Sequence, residues 1–463
     1  MQRVLIIDEA HAYDAYMGQE IEHLLRAHAQ LGGSAIVLSA TLPQETRKRL
    51  MAAYGGRMEV ASNDYPLATW ATSSVPVVQT PIDPRQMNVR QVPVRLVQTV
   101  EEGDALALNA ARQGQAVLRI RNTVGDALET YDQLSRQHPR VELFHARYAQ
   151  IDRQQREKEV LARYGLNSGP QQRLGWLLVA TQVVEQSLDL DFDFIVSDIA
   201  PVDLLIQRAG RLWRHTRPDR APSARQQLVV VTPDPVADPT ANWLPSAFGR
   251  TARVYQDVTS LWLTAGALAT AGMIEAPSGL RPLIEAVYGG AARSNLPKGI
   301  VMASNTAKQM ANVDRGIAIG RLLPLQNGYA PAQMWEEDDG AQTRLSDPTR
   351  TWRLASVVNG RLLPWASLWT DEREFRRLWA LSQVVVRTDQ FDEAQVAGDS
   401  QQILDAELAR WKPWEREQYK LLLLKESGTG IWFARVQSGG RRRAPVNRNV
   451  RYTRETGLQL ADA

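Results

Sequence analysis

Short apolar runs, each followed by a turn and an amphipathic stretch, dominate roughly the first half of the chain. Val4 to Ile7 reads VLII: too short for a helix and continuously apolar, as a strand buried on both faces requires. Within Gln19 to Gln30, the residues Ile21, Leu24, Leu25 and His28 recur at helical spacing. Ala35 to Ser39 repeats the strand signal, and Pro43 suits the opening of the next helix. This β-α-β-α series predicts an α/β fold with a helix-covered parallel sheet.

Residues 63–90 are rich in Pro, Asn, Ser and Asp and read as a connector. A second strand–helix series follows over 91–235. VPVRLVQ from Val92, AVLRI from Ala116, VELF from Val141, WLLVA, DFIVSDI and QLVVVT are its strands. That is enough for a complete second α/β domain. Residues 236–360 predict a linker helix around Val254 to Ala271, then an irregular stretch. Residues 361–463 read as a C-terminal accessory domain, with Trp365, Trp369, Trp379, Trp411, Trp414 and Trp432 serving mainly as core.

Composition narrows the class. The 463 residues are 44% hydrophobic and 23% charged, ordinary for a globular protein of two to four domains. No apolar run reaches the ~18 residues of a membrane span, and Asp8 and Glu9 break up any signal-peptide core, so a cytoplasmic protein without membrane contact is expected. The absence of cysteine excludes disulfides and thiolate chemistry. A net charge of +3 says little. The basic cluster of Arg441, Arg442, Arg443, Arg448, Arg451 and Arg454 is either a solvated tail or a phosphate-contacting patch.

The chemistry gathers at strand ends, where open α/β sheets bind ligands. After VLII come Asp8, Glu9, Ala10 and His11. An Asp in that place holds Mg²⁺ through water, and a neighbouring Glu orients and deprotonates an attacking water. Ser39 and Thr41 follow the next strand. They are either helix caps or, with His11, a relay of nucleotide state to the second domain. Gln207 to Arg214 reads QRAGRLWR, and places Arg211 and Arg214 three apart on an expected helical turn. Two guanidiniums there would stabilise charge on a transferring phosphate, as arginine fingers do. Thr181 closes WLLVAT, where a helix N-terminus can meet a nucleic-acid phosphate. Asp189 is placed to meet a ribose or a finger arginine. Asn122 and Thr123 end AVLRI, while His145 and Arg147 end VELF. At these nucleic-acid candidates a cap or turn role and a strand-backbone contact are both open.

DEAH, SAT and QRxGRxxR in this order resemble motifs II, III and VI of superfamily 2 helicases. TQVVEQSLDLDFD, with Ser187 where most of the superfamily has Gly, resembles the CRISPR-associated helicase–nuclease of type I interference systems. So do Asn122 to Val124 and GRLWRH ending at His215. The likeness implies a partial first RecA-like domain over 1–62, a complete second one, and an ATP- and Mg²⁺-dependent translocase. That translocase moves 3′-to-5′ on single-stranded DNA for an RNA-guided surveillance complex. By resemblance, Asp8 and Glu9 serve the metal and water, Arg211 and Arg214 are the fingers, Gln207 touches nucleotide, and Thr123 and Thr181 track DNA. The family's P-loop should lie far ahead of DEAH, yet the chain has no Gly-Lys dipeptide, and no His-Asp pair for the HD nuclease with its transition metals. A truncated product, a gene fragment or half of a split protein is therefore expected, with the missing N-terminal half supplied in cis or trans. A non-catalytic module binding DNA or the surveillance complex, and a fragment of a superfamily 2 RNA helicase, are the alternatives.

Overall fold

A computed structural model describes the chain except residues 1–2, 11–14, 58–61, 73–75, 84–88, 186–187, 322–348, 389, 392, 396–397, 429, 439–445 and 462–463. One compact unit holds Met1–Ala107, Asp193–Arg214 and Ala224–Leu345; the other holds Leu108–Phe192, His215–Ser223 and Ser346–Ala463. This division interleaves the sequence segments.

In the first unit, β1 (Val4–Ile7) and β2 (Ser34–Val37) pair in parallel, with Ile6 opposite Ile36. Leu38 N–H donates to Ile7 O (2.8 Å) and Ala10 N–H to Leu38 O (3.1 Å), so the ladder runs on into both strand-end loops. One face of the pair is packed by α1 (Ala15–Gln30) and α2 (Gln44–Tyr54), through Ile7, Leu25, Leu50 and Ala53. The opposite face leaves Val4, Ile6 and Ile36 exposed. The expected connector holds an antiparallel hairpin, β3 (Leu67–Trp70) with β4 (Val78–Pro81).

The same unit contains β5 (Arg90–Val97), β9 (Phe194–Asp198) and β10 (Gln227–Val231), mutually parallel, and β11 (Met273–Ala276), antiparallel to β5, in the order β11-β5-β10-β9. Helix α7 (Val202–Ala209) follows β9. Beyond β10 lie α8 (Pro245–Val254), α9 (Val258–Ala271), α10 (Leu280–Tyr288) and α11 (Lys298–Arg321). The single linker helix is thus four helices and an edge strand. Helix α11, 24 residues long, falls in the stretch expected to be irregular. Its apolar residues are scattered around the helix, and its exposed Met302, Val313 and Ile319 blur the periodicity that would have revealed it. It packs on α1 and α9.

In the second unit, α3 (Val100–Arg112), whose N-terminal part belongs to the first unit, leads to β6 (Val117–Ile120), β7 (Val141–Phe144) and β8 (Leu177–Ala180). These pair in parallel as β6-β8-β7, and every residue in them is buried. Helices α4 (Val124–Ser135), α5 (Gln150–Tyr164) and the single turn α6 (Pro170–Arg173) intervene. The C-terminal segment of this unit runs over Ser346–Ala463, and its first described strand opens at Thr349. Its first sheet combines β12 (Thr349–Val358), β13 (Arg361–Pro364), β14 (Gln383–Arg387) and β16 (Tyr419–Leu423). A second joins β15 (Glu393–Gln395), β17 (Lys425–Glu426), β18 (Trp432–Ser438), β19 (Val446–Thr453) and β20 (Gly457–Ala461). Trp352, Trp365, Trp432 and Tyr452 lie in one core, and Trp379 and Trp411 in another, while Trp369 and Trp414 are exposed.

Candidate functional site

Asp8 and Glu9 stand exposed just past β1. Glu9 has φ 52°, a left-handed conformation that non-glycine residues rarely adopt, and its N–H donates to Asp8 Oδ1 (2.9 Å). Buried Ala10, tied to Leu38, holds this turn in place. Strain of this kind concentrates at functional turns. Two exposed carboxylates suit Mg²⁺, which keeps most of its waters and takes one or two protein oxygens. Among the described residues, no three His, Asp or Glu side chains gather into a metal-binding group. His11 lies outside the described residues.

Thr41 is fully buried, and its hydroxyl has no hydrogen-bond partner. It does not cap α2, whose N-cap is Pro43. It lines a cavity of about 530 Å³ with Ala10, Gln19, Asp203, Tyr255 and Tyr288. Tyr288 OH donates to Asp203 Oδ1 there, and burial pushes its pKa well above the ordinary value, with the Asp203 charge adding to the shift. Ser39 is half-buried. The loop carrying Ser39 and Thr41 is clamped to α10 by Arg281, which donates to Leu42 O (2.6 Å), and by Gln44 N–H donating to Glu285 (2.9 Å).

Helix α7 carries Gln207, half-buried, and ends at Ala209. Arg211 and Arg214 therefore do not share a helical turn. Trp213 adopts φ 48° and donates its indole N–H to Asp193 O (3.2 Å), which bends the loop. Arg214 is exposed, and its carbonyl accepts from Arg90 (3.2 Å). Arg208, between the candidates, is buried. It donates to Ser197 Oγ (2.6 Å) and Asp198 O (3.1 Å), pinning α7 to the end of β9.

In the second unit, Thr123 is the N-cap of α4: it accepts from Asp126 N–H (3.1 Å) and donates to Asp126 Oδ2 (2.7 Å). The carbonyl of buried Asn122 accepts from Gln182 Nε2 (2.9 Å). Thr181 is also buried and precedes a 3-10 turn without capping it. At His145 the side chain takes a structural place in the loop after β7. It is fully buried, bonded through Nε2 to Thr456 O (3.1 Å) and stacked on Tyr148 at 4.5 Å. Burial, then the charge of Arg147, lowers its pKa to about 3. The carbonyl of Arg147 accepts from Leu458 N–H (2.8 Å), so the turn between β19 and β20 covers this loop. Arg454, from the basic cluster, stacks on Trp369 rather than standing as a free cation. Arg441 to Arg443 and Ser187 lie outside the described residues.

Asp189 is half-exposed and lies 3.3 Å from His215 Nε2. Two positions further on stands Asp191. This buried carboxylate receives Arg173 (3.1 Å), Arg217 (2.5 Å) and Arg220 (2.9 Å). Burial raises its pKa, but the Arg220 hydrogen bond and the surrounding guanidiniums outweigh that and hold it below the usual range. The pair Arg217 and Arg220, three apart just beyond GRLWRH, was the available signal.

The family model described as CRISPR-associated nuclease/helicase Cas3, C-terminal, matches residues 113–217. The CRISPR-associated endonuclease/helicase Cas3 of Escherichia coli (strain K12) is 35% identical over 274 residues, covering 56% of this chain and 30% of its own. That of Thermus thermophilus is 32% identical over 413 residues, covering 75% and 43%. The chain thus spans less than half the length of these relatives. T. fusca Cas3 with ATP shares the fold, with a TM-score of 0.75 at 24% identity over 98% of this chain and 53% of its own. A chain of a CRISPR RNA-guided surveillance complex in a pre-nicking state gives 0.69 at 25% identity, over 99% and 57%. Motifs and fold together define a CRISPR-associated, superfamily 2 helicase-like protein. Within that class, the chain belongs with the C-terminal portion of the Cas3 helicase–nucleases.

Among the described residues, no helix is long and apolar enough to cross a membrane.

Proposed function

We propose that this chain is the C-terminal portion of an ATP-dependent motor that moves 3′-to-5′ on single-stranded DNA in CRISPR type I interference, and that the P-loop it works with comes from outside these residues. The observation that carries this is the strained turn at Glu9, which sets two carboxylates at the open end of β1. Glu9 orients and deprotonates the attacking water, and Asp8 holds Mg²⁺ through water. When bound, Mg²⁺ neutralises phosphate charge. Arg211 and Arg214 stabilise the charge spread over the transferring phosphate, and Gln207 and Asp189 contact the nucleotide. Thr41, with Ser39 and His11, relays nucleotide state. Thr123, Thr181, Asn122 and Arg147 follow the DNA backbone. The likeness to a chain of a surveillance complex supports recruitment by such a complex.

A second reading rests on the lack of any Gly-Lys dipeptide in the chain: a non-catalytic module that grips DNA or the surveillance complex. Hydrolysis of ATP by the purified chain with single-stranded DNA, beside Glu9→Gln and Arg211→Ala, separates the two. The motor reading expects no turnover until the P-loop-bearing half is added, and then turnover that both substitutions abolish. Turnover by the chain alone would overturn the external P-loop. DNA binding with no turnover even after that addition would favour the module. Preference for RNA over DNA at fixed salt would point instead to an RNA helicase fragment.

A further inference from the structure

A second cavity, of about 460 Å³, opens within the first unit between the N-terminus of α9 and α11, lined by Asp257, Thr259, Arg293, Ser304, Asn312 and Arg315. Its size falls in the range of small-molecule sites. None of these residues belongs to the helicase motifs.

Thr259 and Ser304 are almost wholly buried. Ser304 satisfies its hydroxyl on Val301 O (3.2 Å), but Thr259 Oγ1 has no partner. Elsewhere on α9, Thr264 and Thr270 donate to carbonyls one turn back, Ser260 O (2.7 Å) and Gly266 O (2.9 Å). Thr259 sits in the first turn, so its own helix offers no such carbonyl. A buried donor left unpaired is costly and marks a place for an acceptor.

The charges around it favour an anion. Asp257 caps α9 through Ser260 N–H (3.3 Å) and pairs with Arg293 (3.0 Å), so these two balance each other. Arg293 also donates to Val287 O (3.0 Å), which fixes the guanidinium in the wall. Arg315, exposed on α11, makes no hydrogen bond or ion pair among the described residues and remains as the uncompensated charge.

We propose that this cavity binds a phosphate group, which accepts from Thr259 Oγ1 and pairs with Arg315, with Asn312 at the rim. The same chemistry is offered by a free phosphate ester and by the phosphodiester of a nucleic acid.

The test is calorimetric titration of the whole chain with inorganic phosphate, AMP and a dT12 oligonucleotide, beside Thr259→Val, Arg315→Gln and Arg211→Ala. Arg315 is exposed and Thr259→Val preserves shape, so both variants should fold; thermal melting checks this. Saturable phosphate and AMP binding, weakened about tenfold by either cavity variant and untouched by Arg211→Ala, is expected. If Arg315→Gln also lowers the salt slope for dT12 by about 0.7, the site takes the phosphodiester backbone. An unchanged dT12 slope with impaired AMP binding assigns it a free ester. No saturable heat from any probe, or equal binding by both cavity variants and the parent chain, overturns the proposal.

Discussion

Trp365 Nε1 donates to Asp152 Oδ2 across 2.7 Å, although 213 positions separate the two residues. Tyr452 OH donates to the same oxygen (2.6 Å), and Arg454 Nε to Oδ1 (2.7 Å). One carboxylate in the first turn of α5 therefore gathers two segments of the C-terminal fold, the turn after β13 and the end of β19. Both Asp152 and Trp365 are buried.

Removing one partner of a buried charged network leaves the others unsatisfied. Asp152→Ala is expected to destabilise the second unit by about 3–5 kcal/mol, and Asp152→Asn by less, since it keeps an acceptor for the indole. Urea unfolding monitored by tryptophan fluorescence reads this directly. A loss below about 1 kcal/mol for Asp152→Ala would show that the node is dispensable.

His145 makes the fold acid-sensitive. Its folded pKa, about 3, lies below the ~6.5 of an unfolded histidine, so between these values the unfolded chain holds a proton that the folded chain excludes. Its contribution is undiminished above pH ~6.5 and is lost as the pH falls toward 3, at up to about 1.4 kcal/mol per pH unit. His145→Gln should flatten the fall in the urea midpoint between pH 7 and 5. An identical fall in both proteins would assign the sensitivity elsewhere.

Arg208 and Arg211 are expected to fail differently. Arg208→Ala abandons buried acceptors at Ser197 and Asp198 and should lower stability by about 2 kcal/mol or more. Arg211→Ala should leave melting nearly unchanged and reduce reconstituted ATP turnover about 10³-fold or more. Equal loss of stability in the two variants would place Arg211 in the fold rather than the chemistry.

Thr41→Val replaces an unpartnered buried hydroxyl with a methyl group. Neutral or slightly raised stability is expected, within about 1 kcal/mol. If Thr41 relays nucleotide state, DNA stimulation of hydrolysis falls while the melting temperature holds. Unchanged stimulation would leave Thr41 as packing alone.

Strand ends were legible because a buried parallel strand leaves an unbroken apolar run, and the polar residue after it must stand at the sheet edge. Hence Asp8, Thr41, Thr123, Thr181 and Arg211 could be placed after strands or helices before any fold was seen. Helix α11 was not legible, since its neighbours α1 and α9 come from distant sequence and no single apolar stripe is required. Strand β12 was not legible either, since it pairs with β16, a partner some seventy positions away.

The sequence by itself determined the α/β class, the motif order and the residue types at each strand end, all of which follow from local periodicity and spacing. Only the tertiary structure decided which of those residues stay available. Thr456 closes over His145, and Arg208, beside the candidate arginines, is spent on packing. Exposure and hydrogen-bond partnership depend on what distant segments bring to each position, and local pattern carries no record of that.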